Sequence, residues 1–563
     1  TRHFWPTAIL ALFPMVACGP GPVTDEPVGE VAPPPTRPSD GLLERGDLRR
    51  AVELQVARDG AGLRTLLASD DPAVRARAAF ALGSVQDSEA GSALTGLLSD
   101  PETAVRRDAA FALGQLGDPI YGPALVGALR DEAQPSVRAR LLEAVGKVGD
   151  GRVLETLLEL PVLPREEGAR NLAVSRLGLR GVTLPSSISH LVSELSSESS
   201  EARENAAYYF GRNGDASPWG ASANSVRAAL DSLPPDHPVA MHLLLGLSLL
   251  GDSGDDPRFM AWLRASPDWR IRTNAARALS GRTTGRRVRE ALMGALEDPT
   301  THVAVSAADA LTSVRELSAE EMGDLMAWVE DHPRAWRRAG LILAVLGRMG
   351  AGGFLLEWLD GWGEDEVIPR TRGIGALAFV PDPAATESLM DFAGSPQPRI
   401  RATALGGLAR RWRAERENPD VLTSYFRTFA EGLRTGDPSA VFVCAPALAD
   451  SVFLPLGSVT ILMNEYGNQT LPEDLEGMQA ILRAIGMTGD PEAGAFLRRE
   501  LDAPMPAIRK AAADALTQLT GEEVEVPHGM EEEGQEVDWR REAALGWGPP
   551  LILETGKGTI TAV

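Results

Sequence analysis

Seven histidines and two cysteines carry most of the nucleophilic, acid–base and metal-binding capacity of this sequence. The histidines (His3, His190, His237, His242, His302, His332 and His528) are scattered, and none stands beside a second histidine and a carboxylate at zinc-ligand spacing. His237 and His242 lie five apart, a poor match to one helix face. Cys18 and Cys444 sit in unlike surroundings and define neither a disulfide framework nor a metal pair. Cys444, in AVFVCAPAL, reads as a small buried hydrophobe. There is no phosphate loop ending in Lys-Ser/Thr, no Gly-x-Ser-x-Gly elbow and no Cys–His arrangement. No catalytic residue, cofactor site or metal site is therefore expected, and no small-molecule substrate is evident.

Recognition is the chemistry that remains. Arg75, Arg106, Arg138, Arg272, Arg372, Arg401 and Arg509 recur in similar contexts. Such a series either forms a ladder for an acidic ligand or pairs with carboxylates of the same or the next segment, and internal pairing is the stronger reading. Trp262, Trp269, Trp328, Trp336, Trp358 and Trp362 crowd the middle of the chain, with Trp219 and Trp412 to either side. Exposed together they would form a partner-binding surface, since aromatic side chains dominate interface hot spots. Alternatively they fill gaps between irregular segments. The net charge is −23 and no large basic cluster is present, so phosphate backbones would be repelled. Proteins or peptides, not nucleic acid, are the expected partners.

The elements that must position these residues repeat. DPAVRARAAFALG begins at Asp71 and DPETAVRRDAAFALGQLGD at Asp100. Val74, Arg75, Leu82 and Gly83 return 31 residues on as Val105, Arg106, Leu113 and Gly114, and Val137, Arg138 and Gly146 follow after a further 32. Roughly 13 or 14 such units run from about residue 45 to 521, with a poor period from 415 to 475. Asp71 or Asp100 is expected to cap a helix with Pro72 or Pro101 at its first position. Val74, Ala78, Ala81, Leu82 and Val85 make one apolar helix face, and Leu63, Leu66 and Leu67 make that of the preceding helix. Gly83 or Gly114, near the helix end, is expected to permit the following turn. Two antiparallel helices per unit cannot cover these faces alone, whereas stacked neighbours can. At 563 residues with 44% hydrophobic, 24% charged and only 5% aromatic residues, an all-α array of close-packed helices is the expected fold class. The units resemble HEAT repeats, particularly the short bacterial type with a DPxVRxxAAxALG second helix. That resemblance implies an α-solenoid over residues 45–521 and leaves the partner open.

The two ends differ from this body. Residues 1–18 open with Arg2 and His3, continue in an apolar run from Phe4 to Val16 too short to span a bilayer, and read as an export signal. Met15-Val16-Ala17-Cys18 resembles the lipobox of bacterial lipoproteins, which implies acylation of Cys18, a membrane anchor and, with Gly19 following, an outer-membrane lipoprotein facing the periplasm. Residues 19–44 are rich in proline and poor in large apolar side chains, as a tether would be. An acidic linker is expected at 522–548. In residues 549–563, Leu551–Leu553 and Thr559–Val563 flank a Thr555–Gly558 turn, a hairpin pattern. Leu553, Thr555, Gly558 and Ile560 resemble the opening strands of bacterial cyclophilins, the peptidyl-prolyl cis-trans isomerases. The resemblance implies the truncated start of an isomerase domain, whose catalytic arginine and aromatics lie downstream of this opening. Two functions follow as expectations: the scaffold portion of an isomerase, or a non-enzymatic scaffold of the cell envelope. A likeness to bilin lyases, which also use short HEAT arrays, fits poorly with an export signal.

Overall fold

The computed structural model describes residues 45–416 and 418–526, together with the backbone of 551–555 and 558–562. Residues 1–44, with the expected export signal, Cys18 and the expected tether, lie outside the described residues, as does most of the expected acidic linker. The chain divides into a large unit, Arg50–Glu536, and a second unit made of Thr1–Arg49 and Val537–Val563.

After α1 (Gly46–Val56), the described residues form fourteen consecutive helix pairs. The first five are α2 and α3 (Gly60–Leu66, Pro72–Val85), α4 and α5 (Gly91–Gly96, Thr103–Leu116), α6 and α7 (Gly122–Asp131, Pro135–Val148), α8 and α9 (Gly151–Glu159, Glu167–Leu179), and α10 and α11 (Pro185–Glu194, Ser200–Arg212). Next come α12 and α13 (Ala223–Asp231, Val239–Ser248), α14 and α15 (Asp256–Ala265, Trp269–Ala278), α16 and α17 (Arg286–Gly294, Thr301–Leu311), α18 and α19 (Ala319–Asp331, Trp336–Arg348), and α20 and α21 (Gly352–Asp360, Val367–Leu377). The last are α22 and α23 (Pro383–Ala393, Pro398–Glu415), α24 and α25 (Pro419–Arg434, Pro438–Leu448), α26 and α27 (Ser458–Gly467, Leu475–Met487), and α28 and α29 (Ala493–Glu500, Pro506–Thr520). Each second helix packs on the second helix of the next pair, from α3 on α5 through to α27 on α29. This is the all-helical HEAT-repeat solenoid.

Local chemistry starts the helices much as expected, with one difference. The Asp71 carboxylate accepts from the Ala73 N–H at 2.8 Å, and Pro72 opens α3. Asp100 does not cap α5, because it lies two residues farther from the recurrent valine than Asp71 does, and Glu102 takes the cap position. Its carboxylate instead accepts from the Glu102 N–H at 2.9 Å and from Arg75 of the preceding pair.

The recurrent glycine does a different job from the expected one. Gly83 lies inside α3, and the residue that ends that helix in the left-handed region is Gln86, at φ 60°. A Cβ on Gly83 would stand 2.8 Å from Ala112 Cα, and one on Gly146 would stand 2.8 Å from Ala173 Cα. These glycines let consecutive second-row helices approach backbone to backbone, closer than any larger residue permits. Leu82, Leu113 and Val145 are fully shielded in the resulting core. Each such side chain contributes about 1.5–3 kcal/mol, more than most ion pairs at a surface. Packing therefore holds the stack.

The irregular stretch from 415 to 475 is helical too, as α24–α27. Its period is obscured because aromatics replace the alanine–leucine core. Trp412 stacks on Phe453 with ring centres 4.6 Å apart, and Tyr425 and Phe429 complete the cluster. In the second unit, β1 (Leu551–Thr555) pairs antiparallel with β2 (Gly558–Ala562) in the register Leu551↔Ala562 to Thr555↔Gly558. The two apolar runs of the tail are thus each other's partners.

Candidate interaction surface

The recurrent arginines are internal fasteners. Nε and Nη2 of Arg75 donate to Asp100 at 2.9 and 3.0 Å, while Nη1 donates to the Ser69 and Asp70 carbonyls of its own loop. Arg106 repeats this with Glu132, Arg138 with Glu166 and Arg272 with Asp298, each reaching the loop of the following pair. Arg401 reaches Asp437 through one Nη. A bidentate guanidinium–carboxylate pair fixes direction as well as distance, so the ladder sets the register of the stack. The Arg106 hydrogen bond, reinforced by the Gln134 N–H, holds the Glu132 carboxyl below its ordinary value. Arg138 does the same for Glu166. At Asp100 burial acts the other way, but Arg75 and the Glu102 N–H outweigh it and the net shift is downward.

Two members of the series depart from this rule. Arg509 contacts only the Ala503 and Pro504 carbonyls. Arg372 makes no ion pair among the described residues; it packs across Gly340, and its Nε is buried without a hydrogen-bond partner.

The six tryptophans occupy three places. Trp262 and Trp328 lie on the first-row helices α14 and α18. Trp328 stacks on His332 at 4.6 Å, donates its indole N–H to Glu297 and lies beneath the Arg338 guanidinium. Trp336, Trp358 and Trp362 meet edge to face, with Trp362 5.4 Å from Trp336 and 5.2 Å from Trp358. Trp358 is largely buried there, and its indole N–H has no partner. Trp269 is 41% exposed, the most open of the six. It opens α15 and stacks on His302 of α17, ring centres 5.0 Å apart and planes 23° from parallel.

That stack lies in a groove of about 480 Å³ across the second-row helices α13, α15, α17 and α19. Met241, Val305, Thr273 and Ser306 give it a mixed lining, and Arg277 and Arg337 stand in it as cations. His302 was legible in sequence only as one scattered histidine. It shares a repeat position with the residues around Trp269, and only the stacking of neighbouring pairs brings the two rings together. Elsewhere on this row Phe80 stacks on Phe111 at 5.1 Å between the guanidinium groups of Arg77 and Arg140.

No group of three or more His, Cys, Asp or Glu side chains among the described residues is placed to hold a metal ion. Among the same residues no helix is long and apolar enough to cross a membrane. Cys444 is fully buried, and burial pushes its thiol up to about 12, far from the range of a nucleophile.

A family model described as HEAT repeats matches residues 60–146. No curated protein matches the sequence. Among solved structures, the chain is similar to yeast importin-β (Kap95p), with 12% identity, TM-score 0.48, and 82% of this chain and 77% of that one covered. It is also similar to the Cnd3–Cnd2 condensin subcomplex of S. pombe, with 12% identity, TM-score 0.35, and 86% and 80% covered. For Kap121p the figures are 15%, 0.34, and 83% and 53%.

Proposed function

We propose that this chain is a protein-binding scaffold whose second-row surface receives other polypeptides. One observation carries the reading: the exposed Trp269–His302 stack in an open groove that spans four repeats. An aromatic pair at the centre of a concave site is the usual anchor of a protein interface. The test is to place a photo-crosslinking amino acid at position 269 of the full chain and irradiate source cells. A discrete adduct at 269, missing from the exposed first-row position 152, is expected. Failure to form an adduct at 269 or at any other exposed second-row position would sink the scaffold reading.

A finer reading places the scaffold on a membrane beside an isomerase module. Its support is sequence alone: the Met15–Cys18 lipobox pattern, and the likeness of Leu553, Thr555, Gly558 and Ile560 to an opening cyclophilin strand. Acyl labelling that is lost in Cys18→Ser would uphold the anchor, and undiminished labelling would remove it. Sequencing the reading frame beyond the codon for Val563 decides the isomerase. A continuation with a downstream arginine and aromatics upholds it, and an immediate stop codon leaves a non-enzymatic scaffold.

A further inference from the structure

The chain carries a net charge of −23, yet cations gather along one stretch of its second row. Arg277 and Arg337 line the Trp269 groove and are exposed. Beyond them Arg372 of α21 and Arg399 of α23 continue the line. The Arg372 side chain packs against Gly340 of α19, the helix that carries Arg337, and burial, then the charges of Arg399 and Arg337, push its guanidinium below its ordinary pKa. Carboxylates do stand nearby. Asp268 is already held by Arg270, Asp309 shares the exposed face of α17, and Glu364, Asp365 and Glu366 precede α21. None of them forms an ion pair with Arg277, Arg337, Arg372 or Arg399.

This departs from the pairing that holds along most of the arginine ladder. Arg75, Arg106, Arg138, Arg272 and Arg401 each have a carboxylate from the next repeat. In an acidic protein, a run of arginines without carboxylate partners beside an exposed indole has the chemistry of a receptor for carboxylates. Guanidinium groups recognise carboxylates bidentately, and the Met241–Trp269–Val305 lining adds an apolar seat.

We propose that the groove formed by Met241, Trp269, Arg277, His302 and Arg337, extended by Arg372 and Arg399, binds an extended acidic segment of a separate partner protein. Glutamate or aspartate side chains of that segment meet the arginines, and an interspersed apolar side chain packs against Trp269. The inference rests on the scaffold reading and narrows it to a partner class.

The test uses the full chain and a fluorescein-labelled peptide of alternating glutamate and leucine, with a lysine–leucine peptide as control. Anisotropy is expected to report saturable binding of the acidic peptide only, weakening as salt is raised. Arg277→Glu with Arg337→Glu, both at exposed positions, is expected to lower affinity at least about tenfold and to admit the lysine peptide. Arg152→Glu on α8 should change nothing, and circular dichroism melts confirm that the variants fold. Equal binding of both peptides, or affinity unmoved by the double reversal, overturns the proposal. So does a single-stranded oligonucleotide that competes as well as the peptide. Affinity that rises when Glu531, Glu532 and Glu533 become glutamine would assign the groove to the chain's own acidic run. Self-association that Arg337→Glu abolishes would assign it to a second copy. Either result removes the separate partner. The crosslink at position 269 distinguishes the two levels: an adduct that persists in the double reversal leaves the scaffold standing without its acidic specificity.

Discussion

Arg106 shows what a single side chain contributes to this array. Its guanidinium closes its own loop through the Asp100 and Pro101 carbonyls and grips Glu132 of the next pair at 2.7 and 3.1 Å. Arg106→Ala leaves Glu132 mostly buried with one N–H partner, and about 1–3 kcal/mol of stability is expected to be lost, read as a fall in the urea midpoint. The pH dependence follows from the lowered carboxyls. Glu132 and Glu166 titrate below 4.5 when folded, so their contribution is fully present above 4.5 and disappears as the pH falls through their depressed values. The gap between the parent and Arg106→Ala is therefore expected to be widest near neutrality and to close in acid. A gap independent of pH would refute the role of the ion pair. Glycine provides a second contrast. Gly146→Val drives a side chain into the Ala173 backbone and should destabilise by about 1–3 kcal/mol. Gly127→Ala on α6 meets nothing within 4 Å and should stabilise by about 0.5–1 kcal/mol. Thermal melts of the two variants are expected to move in opposite directions.

Between neighbouring helices, α23 is the element most committed to its surroundings. It is the longest described helix at 18 residues, and Arg411 near its end is buried. That guanidinium donates to the Val380 carbonyl, to the Asp382 carbonyl at 3.1 Å and to Thr386 Oγ1 at 2.6 Å, and it pairs with Glu415 at 2.8 Å. Glu415 in turn accepts from the Tyr425 hydroxyl at 2.8 Å, and burial followed by that carboxylate raises the Tyr425 pKa. Three helices, α22, α23 and α24, are thereby tied through one charge. Arg411→Ala leaves the Glu415 carboxylate without its cation and the Val380 and Asp382 carbonyls without their donor, and a loss of about 3–5 kcal/mol is expected. Hydrogen exchange checks this directly: faster exchange confined to α22–α24 is the expected result, and uniform acceleration along the chain would refute the local tie.

Across the array, stability is a chain of neighbour terms. Each second-row helix packs on the next, so the core of the described repeats is one continuous strip assembled from neighbour contacts. Solenoids of this kind unfold with limited cooperativity when their repeats differ in strength. The amino-terminal repeats pack alanine against glycine under an arginine ladder, whereas α23–α25 pack aromatics around a buried charge. Urea unfolding is expected to show different midpoints for far-ultraviolet ellipticity, which averages all repeats, and for tryptophan emission, which is weighted to the middle of the array, where eight of the eleven tryptophans lie between residues 219 and 412. Coincident midpoints would instead demand coupling along the full array. The arginine-lined groove lies in the middle, and its extension reaches Arg372, where the ladder is interrupted. An unpartnered arginine weakens a repeat junction little when packing carries most of the energy, which leaves such cations available for a ligand.

The fold was legible in the amino-acid order because a repeat states its physics many times. Apolar spacing around Val74, Ala78 and Leu82 marks a helix with one covered face, and a face that no single pair can cover demands neighbours. The same repetition showed that Arg75 and its equivalents have a structural task. What it could not show was what lies one repeat away in space. Gly83 reads as a turn residue until Ala112 is found against it. Asp100 reads as a cap until two extra residues before Val105 put the helix start at Thr103 and free its carboxylate for Arg75. Trp269 and His302 read as unrelated, 33 positions apart, until stacking lays one ring over the other. Periodicity encodes which face of a helix is buried. Which residues of separate repeats meet on the open face depends on the rise and rotation between repeats, and those come from packed backbones that only the tertiary structure contains.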